Sequence, residues 1–162
     1  MKESASIVSW LARDWTLSAI VTLQSGTPLT IGAGQDRNLD GLTNDRADLV
    51  GNPEVAGGRS RDEAIEGWFN VAAFANPALG TNGSSGRSIV DGPGYRNVDL
   101  GIFRDVRLKG RSSFQFRIEA TNVFNMVNLT NPGTNLAAPA TFGKIRSARN
   151  MRQVQLGGRV SF

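Results

Sequence analysis

The chain has 162 residues, of which 40% are apolar and 20% charged, and its mean hydropathy is −0.23. This length allows one domain with its own core, and no apolar run reaches the roughly 20 residues that a membrane-spanning helix needs. Cysteine and histidine are both absent, which excludes disulfides, thiolate nucleophiles and a Ser-His-Asp relay. We therefore expect that the protein is not an enzyme.

The net charge of +4 is unevenly distributed along the chain. Residues 1–95 carry a balance of −4, with seven basic and eleven acidic side chains, whereas residues 96–162 carry +8, with eleven basic and three acidic. The arginines of the second part alternate with apolar residues, as they do on the wet face of a sheet. This pattern predicts no nucleic-acid partner.

The first residues contain no signal peptide, because the short apolar stretch at residues 7–12 is interrupted by Ser9 and followed by Arg13 and Asp14. If the mature protein lies outside the cytoplasm, we expect this chain to be a fragment that has lost its beginning.

A first strand is predicted at about residues 15–25 from a period of two. Its polar side chains occupy the other parity, with Ile20 as the exception. The apolar side chains on one parity are Trp15, Leu17, Ala19, Val21 and Leu23.

The long loop after this strand, at about residues 26–94, contains a run rich in aspartate and asparagine. Asp36, Asn38 and Asp40 place oxygen ligands at every second position before a glycine, as in the front half of a calcium loop, and Asn44 could follow them. The closing glutamate of such a loop is missing. The alternative is an Asx-rich solvated turn, in which the same side chains accept hydrogen bonds from their own backbone. Calcium is thus the one cofactor that the residues suggest.

A glycine- and serine-rich stretch at residues 80–88 lies in the same loop. It lacks the spacing of a phosphate-binding loop and follows no buried parallel strand, so we expect a flexible loop there.

Two further strands are predicted at about residues 95–108 and 112–124, joined by the tight turn Lys109-Gly110-Arg111. Arg104 shares parity with the apolar residues, so it either lies near the rim of the apolar face, where its long side chain can reach water, or a bulge shifts the register. The predicted apolar face consists of Val98, Leu100, Ile102, Val106 and Leu108 on one strand and Phe114, Phe116, Ile118 and Ala120 on the other.

Charged side chains occupy the opposite face of these two strands. Arg117 and Glu119 lie on one strand, and Asp99 and Asp105 lie on its expected neighbour. We expect cross-strand charge pairs on a wet wall, and nothing in the sequence indicates a catalytic pocket around them.

The last predicted strand, at about residues 150–162, alternates to the end of the chain. Phe162, Val160 and Leu156 share the apolar parity, and Gln155 and Arg159 lie on the other. A terminal strand that ends on an aromatic residue resembles the C-terminal signal strand of bacterial outer-membrane β-barrels. The resemblance implies that the barrel-assembly machinery reads Phe162, Val160 and Leu156.

The connections between the four strands are long, short and long, which is the rhythm of an outer-membrane barrel with tight periplasmic turns and long outer loops. We predict an all-β fold: an antiparallel meander of about four long strands, a fragment of a large transmembrane β-barrel, with long irregular outer loops at about residues 26–94 and 125–149. The loops are expected to be disordered or loosely packed. Aromatic residues are expected at the membrane interfaces: Trp10, Trp15 and Phe162 at the inner one, and Tyr95, Phe124 and Phe142 at the outer one.

Several segments together resemble the C-terminal part of TonB-dependent outer-membrane receptors of the Oar-like type. The resemblance extends from about Trp15 to Phe162. The segments are Gly67-Trp68-Phe69-Asn70, Gly92-Pro93-Gly94-Tyr95-Arg96-Asn97-Val98-Asp99-Leu100, Glu119-Ala120-Thr121-Asn122-Val123-Phe124-Asn125 and Phe142-Gly143-Lys144-Ile145.

This resemblance implies the bacterial outer membrane as the location and active ligand uptake as the function, in a barrel of roughly 22 strands with an internal plug. The implied partners are outer-membrane lipid, the remainder of the barrel and its plug, the barrel-assembly machinery, and TonB through an N-terminal part. Two alternatives remain open: a structural or adhesive outer-membrane barrel, and a soluble β-rich calcium-binding module.

Overall fold

The computed structural model describes residues 13–108 and 110–162, so the expectations for Trp10 and Lys109 fall outside the described residues. The chain divides into two compact units. The sheet unit contains the described residues up to Leu23 together with Arg96–Val127 and Asn150–Phe162. The loop unit contains Gln24–Tyr95 and Asn128–Arg149.

The regular elements of the described residues are mostly strands, and no helix among them has the length and hydropathy of a membrane span. In chain order the strands are β1 (Trp15–Gln24), β2 (Pro28–Leu29), β3 (Asp48–Leu49), β4 (Phe74–Ala75), β5 (Val90–Asp91), β6 (Tyr95–Arg107), β7 (Ser113–Thr121) and β8 (Gln153–Ser161). The helical elements are α1 (Arg61–Glu66) and a 3₁₀ turn at Val71–Ala73.

The four long strands form one sheet in the order β1-β6-β7-β8, which confirms the predicted meander and its four strands. β6 pairs with β7 and β7 with β8, both antiparallel. The register sets Ile102 opposite Ile118 and Ile118 opposite Leu156. Because side chains directly opposite each other share a face, the three predicted apolar parities form one continuous apolar face.

The first strand joins β6 in the same antiparallel sense. The Asp105 N–H donates to Asp14 O over 3.3 Å, while further along β1 the Ser18 side chain lies beside Gly101. In the direction in which residue numbers increase along β1, they decrease along β6. This direction completes an antiparallel sheet.

The turn between β6 and β7 is the predicted tight hairpin. The Leu108 N–H donates to Ser112 O over 2.9 Å, and Gly110 has a φ of 78°. Glycine adopts this left-handed conformation without the steric cost that a Cβ would add. The turn keeps β6 and β7 in the register that aligns their apolar faces.

β7 ends at Thr121, three residues before the predicted end. Asn122 has a φ of 48°, which interrupts the extended backbone. Its buried side chain accepts a hydrogen bond from the Met126 N–H at 2.8 Å and donates one to Met126 O at 2.9 Å. Asparagine tolerates the left-handed region better than most residues, and its amide here forms a local turn.

Arg104 lies on the apolar face without any bulge. β6 and β7 pair continuously from Leu100 to Arg107, with Arg104 opposite Phe116, so the bulge alternative is wrong. The Arg104 guanidinium lies 5.4 Å from the centre of the Trp15 ring, at the first residue of β1. A cation beside an indole at the strand ends is typical of a rim position.

The apolar face of the sheet is exposed within the described residues. Leu17, Leu23 and Leu156 are 69%, 72% and 67% exposed, respectively. The sheet also has two open edges, since β1 and β8 each pair on one side only among the described strands. Four strands are fewer than the roughly eight of the smallest membrane barrels. The two edges therefore need further strands to pair with, and the apolar face needs an apolar medium.

The loop unit has a packed core, which makes the expectation of disordered or loosely packed loops wrong. Phe69, Phe74 and Phe142 are almost fully buried and meet edge to face, with ring centres 5.3 to 6.3 Å apart. Ile31 and Ala47 complete this core and are fully buried. Phe142 is therefore a core residue, and its expected place at the outer interface is wrong.

Backbone hydrogen bonds join the two chain segments of the loop unit. The Gly32 N–H donates to Thr134 O, and Gly32 O accepts from the Leu136 N–H, both over 2.9 Å. The Ile145 N–H donates to Ile65 O over 2.8 Å. Such long-range bonds satisfy the backbone of segments that contain little regular structure.

Helix α1 begins with a capping box that fixes its position in the loop unit. The Ser60 side chain accepts from the Glu63 N–H, and the Glu63 carboxylate accepts from the Ser60 N–H at 2.7 Å. The hydrogen bonds from Ser60 lower the pKa of Glu63. One turn later, a hydrogen bond and the charge of Lys144 lower the pKa of Glu66, over an Nζ–Oε2 distance of 2.8 Å.

The Lys144–Glu66 pair predicts a pH dependence for the loop unit. Because the folded pKa of Glu66 lies below its ordinary value of 4.5, the stabilisation is complete above that value and is lost as the pH falls through the folded pKa. Lys144→Met should flatten this acid sensitivity, as measured by hydrogen exchange of the Ile145 amide across acidic pH. Arg61→Met serves as the control, and an unchanged acid profile in Lys144→Met would contradict the assignment.

Candidate functional site

The polar face of the sheet carries a set of connected polar groups. Arg117 and Glu119 form an ion pair along β7, with an Nη2–Oε1 distance of 3.2 Å. The Gln115 amide donates to Asp105 Oδ1 across the strands over 3.0 Å. Asp99 accepts from the side chain of Asn97 at 2.8 Å and from the Asn122 N–H at 2.9 Å.

These contacts correct one sequence expectation. Asp99 and Asp105 accept from amides and backbone, and the ion pair between described residues on this face runs along one strand from Arg117 to Glu119. Arg117 and Glu119 lie two positions apart on one strand, so their side chains share a face and pair along the strand. These charged side chains share one face of the sheet, and the contact of that face with water stays a prediction.

A shallow groove on this wall contains apolar side chains among the polar ones. Ile20 of β1 and Phe103 of β6 both line it, beside Glu119. The Phe103 ring lies over Gly101, where a Cβ would approach the ring to 2.8 Å, and the Arg117 guanidinium lies 5.4 Å from the ring centre. The alternation in the sequence marks Ile20 as an exception but does not show that it lines the same groove as Phe103.

The acidic run folds into a turn whose side chains accept hydrogen bonds from the run's own backbone. The Asp36 carboxylate accepts from the N–H groups of Leu39, Asp40 and Gly41 at 2.8 to 3.2 Å. Asn38 Oδ1 accepts from the Asp40 N–H over 3.0 Å. These are the contacts of an Asx-rich turn, which was the alternative to a calcium loop.

The predicted calcium ligands are not all brought together. Asn38, Asp40 and Asn44 line one cleft, while Asp36 lies outside its lining. Among residues 13–108 and 110–162, no three carboxylates converge as a metal site built from aspartate and glutamate would require. Calcium binding by these four residues stays a prediction.

The side chain of Asp45 holds the acidic turn through its backbone. It is only 6% exposed, and its Oδ2 atom accepts from the Arg37 N–H at 2.5 Å and from the Asn38 N–H at 2.9 Å. The Arg37 guanidinium in turn donates to Pro77 O at 2.6 and 2.8 Å. A buried carboxylate that accepts hydrogen bonds from two backbone N–H groups stabilises the loop, because breaking either bond leaves part of a buried charge without a donor.

The cleft lined by Asn38, Asp40 and Asn44 has a volume of about 450 Å³. Every residue that lines it is polar or glycine, including Asp40, Asp45, Arg46 and Arg87. This cleft could not be predicted from the sequence, because its lining comes from segments about forty residues apart in the chain. Its lining is more polar than that of the cavity beside Trp68 and Phe69 in the same unit.

The glycine-rich stretch at residues 80–88 contributes one wall of the cleft and is not the flexible loop that the sequence predicts. Gly83 is buried, and Ser85 is fully buried with its N–H donating to Ala47 O over 3.0 Å. A Cβ on Gly83 would lie 1.9 Å from Arg46 O, which no backbone can accommodate without moving.

Gly83→Ala is therefore expected to displace the cleft wall and destabilise the loop unit by more than about 2 kcal/mol, the range of a strained backbone change. Gly86→Ala is the matched control, because nothing lies within 4 Å of its Cβ position. Limited proteolysis of both variants measures the effect, and equal cleavage rates would contradict the packing of Gly83.

The predicted assembly signal lies on the apolar face of the last strand. Val160 is opposite Phe114 and Leu156 is opposite Ile118, as the alternation requires. β8 ends at Ser161, so Phe162 lies just beyond the strand and is 96% exposed. Val160 and Leu156, with Gly158 between them, thus lie on the apolar face of a strand that has one open edge among the described strands.

A sheet with one apolar and one polar face has the alternation that the wall of a transmembrane β-barrel requires. Residues 1–155 match a family model described as outer membrane beta barrel domain. The chain belongs to this family of outer-membrane β-barrel domains, and its location is the bacterial outer membrane. No curated protein and no solved structure matches the chain. Membership of this family and a location in the outer membrane agree with a receptor and with a structural or adhesive barrel, and they disagree with a soluble calcium-binding module.

Proposed function

We propose that the chain supplies wall strands of a TonB-dependent receptor of the Oar-like type, which takes up ligands actively through the outer membrane. The observation that supports this most is the two-faced sheet, whose register separates Leu156, Ile118 and Ile102 from a wall of charged groups. The ordered motifs from Gly67 to Ile145 add the link to this receptor type.

In this proposal each face of the sheet has one task. The apolar face contacts the hydrocarbon of the membrane, where apolar side chains cost nothing to expose. The polar face, with Arg117, Glu119 and Asp105, lines a water-filled interior that holds a plug. The remaining strands of the barrel pair with the open edges of β1 and β8, since an unpaired edge does not persist in hydrocarbon.

The further partners follow from the same proposal. The barrel-assembly machinery would read the stripe formed by Phe162, Val160 and Leu156, and TonB would contact an N-terminal part of the receptor. Calcium in the turn at Asp36, Asn38, Asp40 and Asn44 remains a proposal for the loop unit, and a calcium titration of its melting temperature checks it.

The transport proposal is tested with the full protein in outer-membrane vesicles and the purified periplasmic domain of TonB. We expect specific binding of that domain, abolished when the N-terminal part of the receptor is deleted, together with a plug domain encoded in the same reading frame. A reading frame without a plug, or vesicles that bind no TonB, would contradict the proposal.

The packed loop unit favours one second function, a structural or adhesive barrel that presents its loops to other cells. Rigid loops held by Phe69, Phe74 and Phe142 offer a fixed binding surface without any need for transport. Deletion of TonB separates the two functions, because uptake stops in its absence whereas adhesion continues.

A further inference from the structure

The polar cleft of the loop unit offers hydrogen-bonding groups that the fold itself does not use. Arg46 and Arg87 both line it, and neither guanidinium has a hydrogen-bond or ion-pair partner among the described residues. An arginine presents five N–H donors in a planar fork. Two such forks at one cleft are available to a ligand.

A buried carboxylate provides the second, independent observation. Asp45 is only 6% exposed, and both hydrogen bonds that its carboxylate accepts from the protein go to the Oδ2 atom. Its Oδ1 atom accepts none from the described residues and keeps some contact with solvent, and Asp45 is one of the residues that line the cleft. A buried acceptor that is left open costs free energy until water or a ligand donates to it.

The charges of the lining residues balance. Asp40 and Asp45 contribute two negative charges, and Arg46 and Arg87 contribute two positive charges. An anion would face both carboxylates and a cation both guanidinium groups, so neither sign of ligand is favoured. An apolar ligand would strip water from polar groups without replacing their hydrogen bonds.

A hydroxyl group suits such a surface, because it donates one hydrogen bond and accepts two. A ligand with several hydroxyl groups can therefore accept from Arg46, Arg87 and the amide of Asn82 while it donates to Asp45 Oδ1 and Asp40. The volume of about 450 Å³ is within the range of about 300–1,000 Å³ typical of small-molecule sites.

We infer that this cleft binds a neutral polyhydroxylated ligand, a small saccharide, through Arg46, Arg87 and Asp45. The inference goes beyond the proposed function, because an adhesive barrel would use the same site as a transporter. The saccharide is either free in solution or the sugar portion of a surface lipopolysaccharide, and the hydrogen-bonding chemistry is the same for both.

The test uses the full protein purified in detergent and calorimetric titration with named probes. The neutral probes are maltose, lactose and cellobiose, the acidic probe is digalacturonate, and the basic probe is the disaccharide of glucosamine. We expect at least one neutral disaccharide to bind more tightly than both charged probes. Intact lipopolysaccharide and its delipidated oligosaccharide then separate a lipid-linked source from a free one.

Two variants locate the site. Arg46→Gln and Arg87→Gln should each weaken binding of the neutral disaccharide by about tenfold or more, since each removes charged hydrogen bonds to the ligand. Arg61→Gln is the matched control, because Arg61 is exposed on α1 and lies outside the cleft. Melting temperatures of all three variants should equal that of the parent protein, because none of these side chains has a contact that the fold requires.

Three results would overturn the inference: no binding of any neutral probe, tighter binding of a charged probe, or equal affinity in the parent protein and both cleft variants. A cleft that binds saccharide in a protein that fails the TonB test would leave this inference standing and would contradict the transport proposal alone.

Discussion

Leu156→Arg is expected to reduce the amount of protein assembled in the outer membrane by more than tenfold. Leu156 lies at the middle of β8 on the apolar face, in one row with Ile118 and Ile102. An arginine that faces lipid near the bilayer midplane costs about 2–4 kcal/mol. The measurement is the fraction of full-length protein in the membrane that shows heat-modifiable migration on a gel, compared with the parent protein.

Gln155→Arg is the matched control for this change. Gln155 is the neighbouring residue of β8 and lies opposite Glu119 on the polar face, where an added cation meets water and a carboxylate. We expect parent-like assembly of this variant. Equal loss of assembly in both variants, or greater loss in Gln155→Arg, would contradict the assigned faces.

Phe142→Ala is expected to unfold the loop unit while leaving the sheet unit assembled. The Phe142 ring is buried against Phe69 and Phe74 at 5.3 and 6.3 Å between ring centres. Removing a buried phenylalanine ring costs about 3–5 kcal/mol, through lost burial and the cavity that remains. Protease added to intact cells should then cut the loops of the variant much faster than those of the parent protein.

The control for this prediction is Leu79→Ala, because Leu79 is 66% exposed in the same unit. Its loops should resist the protease as the parent protein does. If Phe142→Ala remained as resistant as Leu79→Ala, the packed core of the loop unit would be contradicted. Loss of membrane assembly in Phe142→Ala would show instead that the sheet unit depends on the loops.

The sheet could be predicted from the sequence because each of its strands shows its environment directly. A side chain that points to lipid must be apolar, whereas the next residue along the strand points the other way and can be polar. The alternation from Val154 to Val160 therefore identifies the two faces without any knowledge of the partner strand. The register added what alternation cannot supply. It showed that Arg104 lies opposite Phe116 without a bulge.

The loop unit could not be predicted, because its contacts join segments that are distant in the chain and have no periodic pattern. Phe142 looks like an interfacial aromatic in the sequence, and only its contact with Phe69 shows that it belongs to a core. The polar cleft is hidden for the same reason, since Arg46 and Arg87 are forty-one positions apart. The Asx-rich turn was one of two interpretations that the residues allowed, and the hydrogen bonds that Asp36 accepts from the backbone of the turn are observed.

The central claim is that β8 separates lipid from a water-filled interior. Because these 162 residues contain no cysteine, a single introduced cysteine marks one position among them. Single cysteines that carry a spin label are introduced at successive positions from 153 to 160 in the full protein in membranes. Collision rates with oxygen, which concentrates in lipid, should peak at positions 154, 156 and 160, and those with a water-soluble nickel chelate at 153, 155 and 159. Collision rates without this alternation, or with the two sets exchanged, would contradict the account.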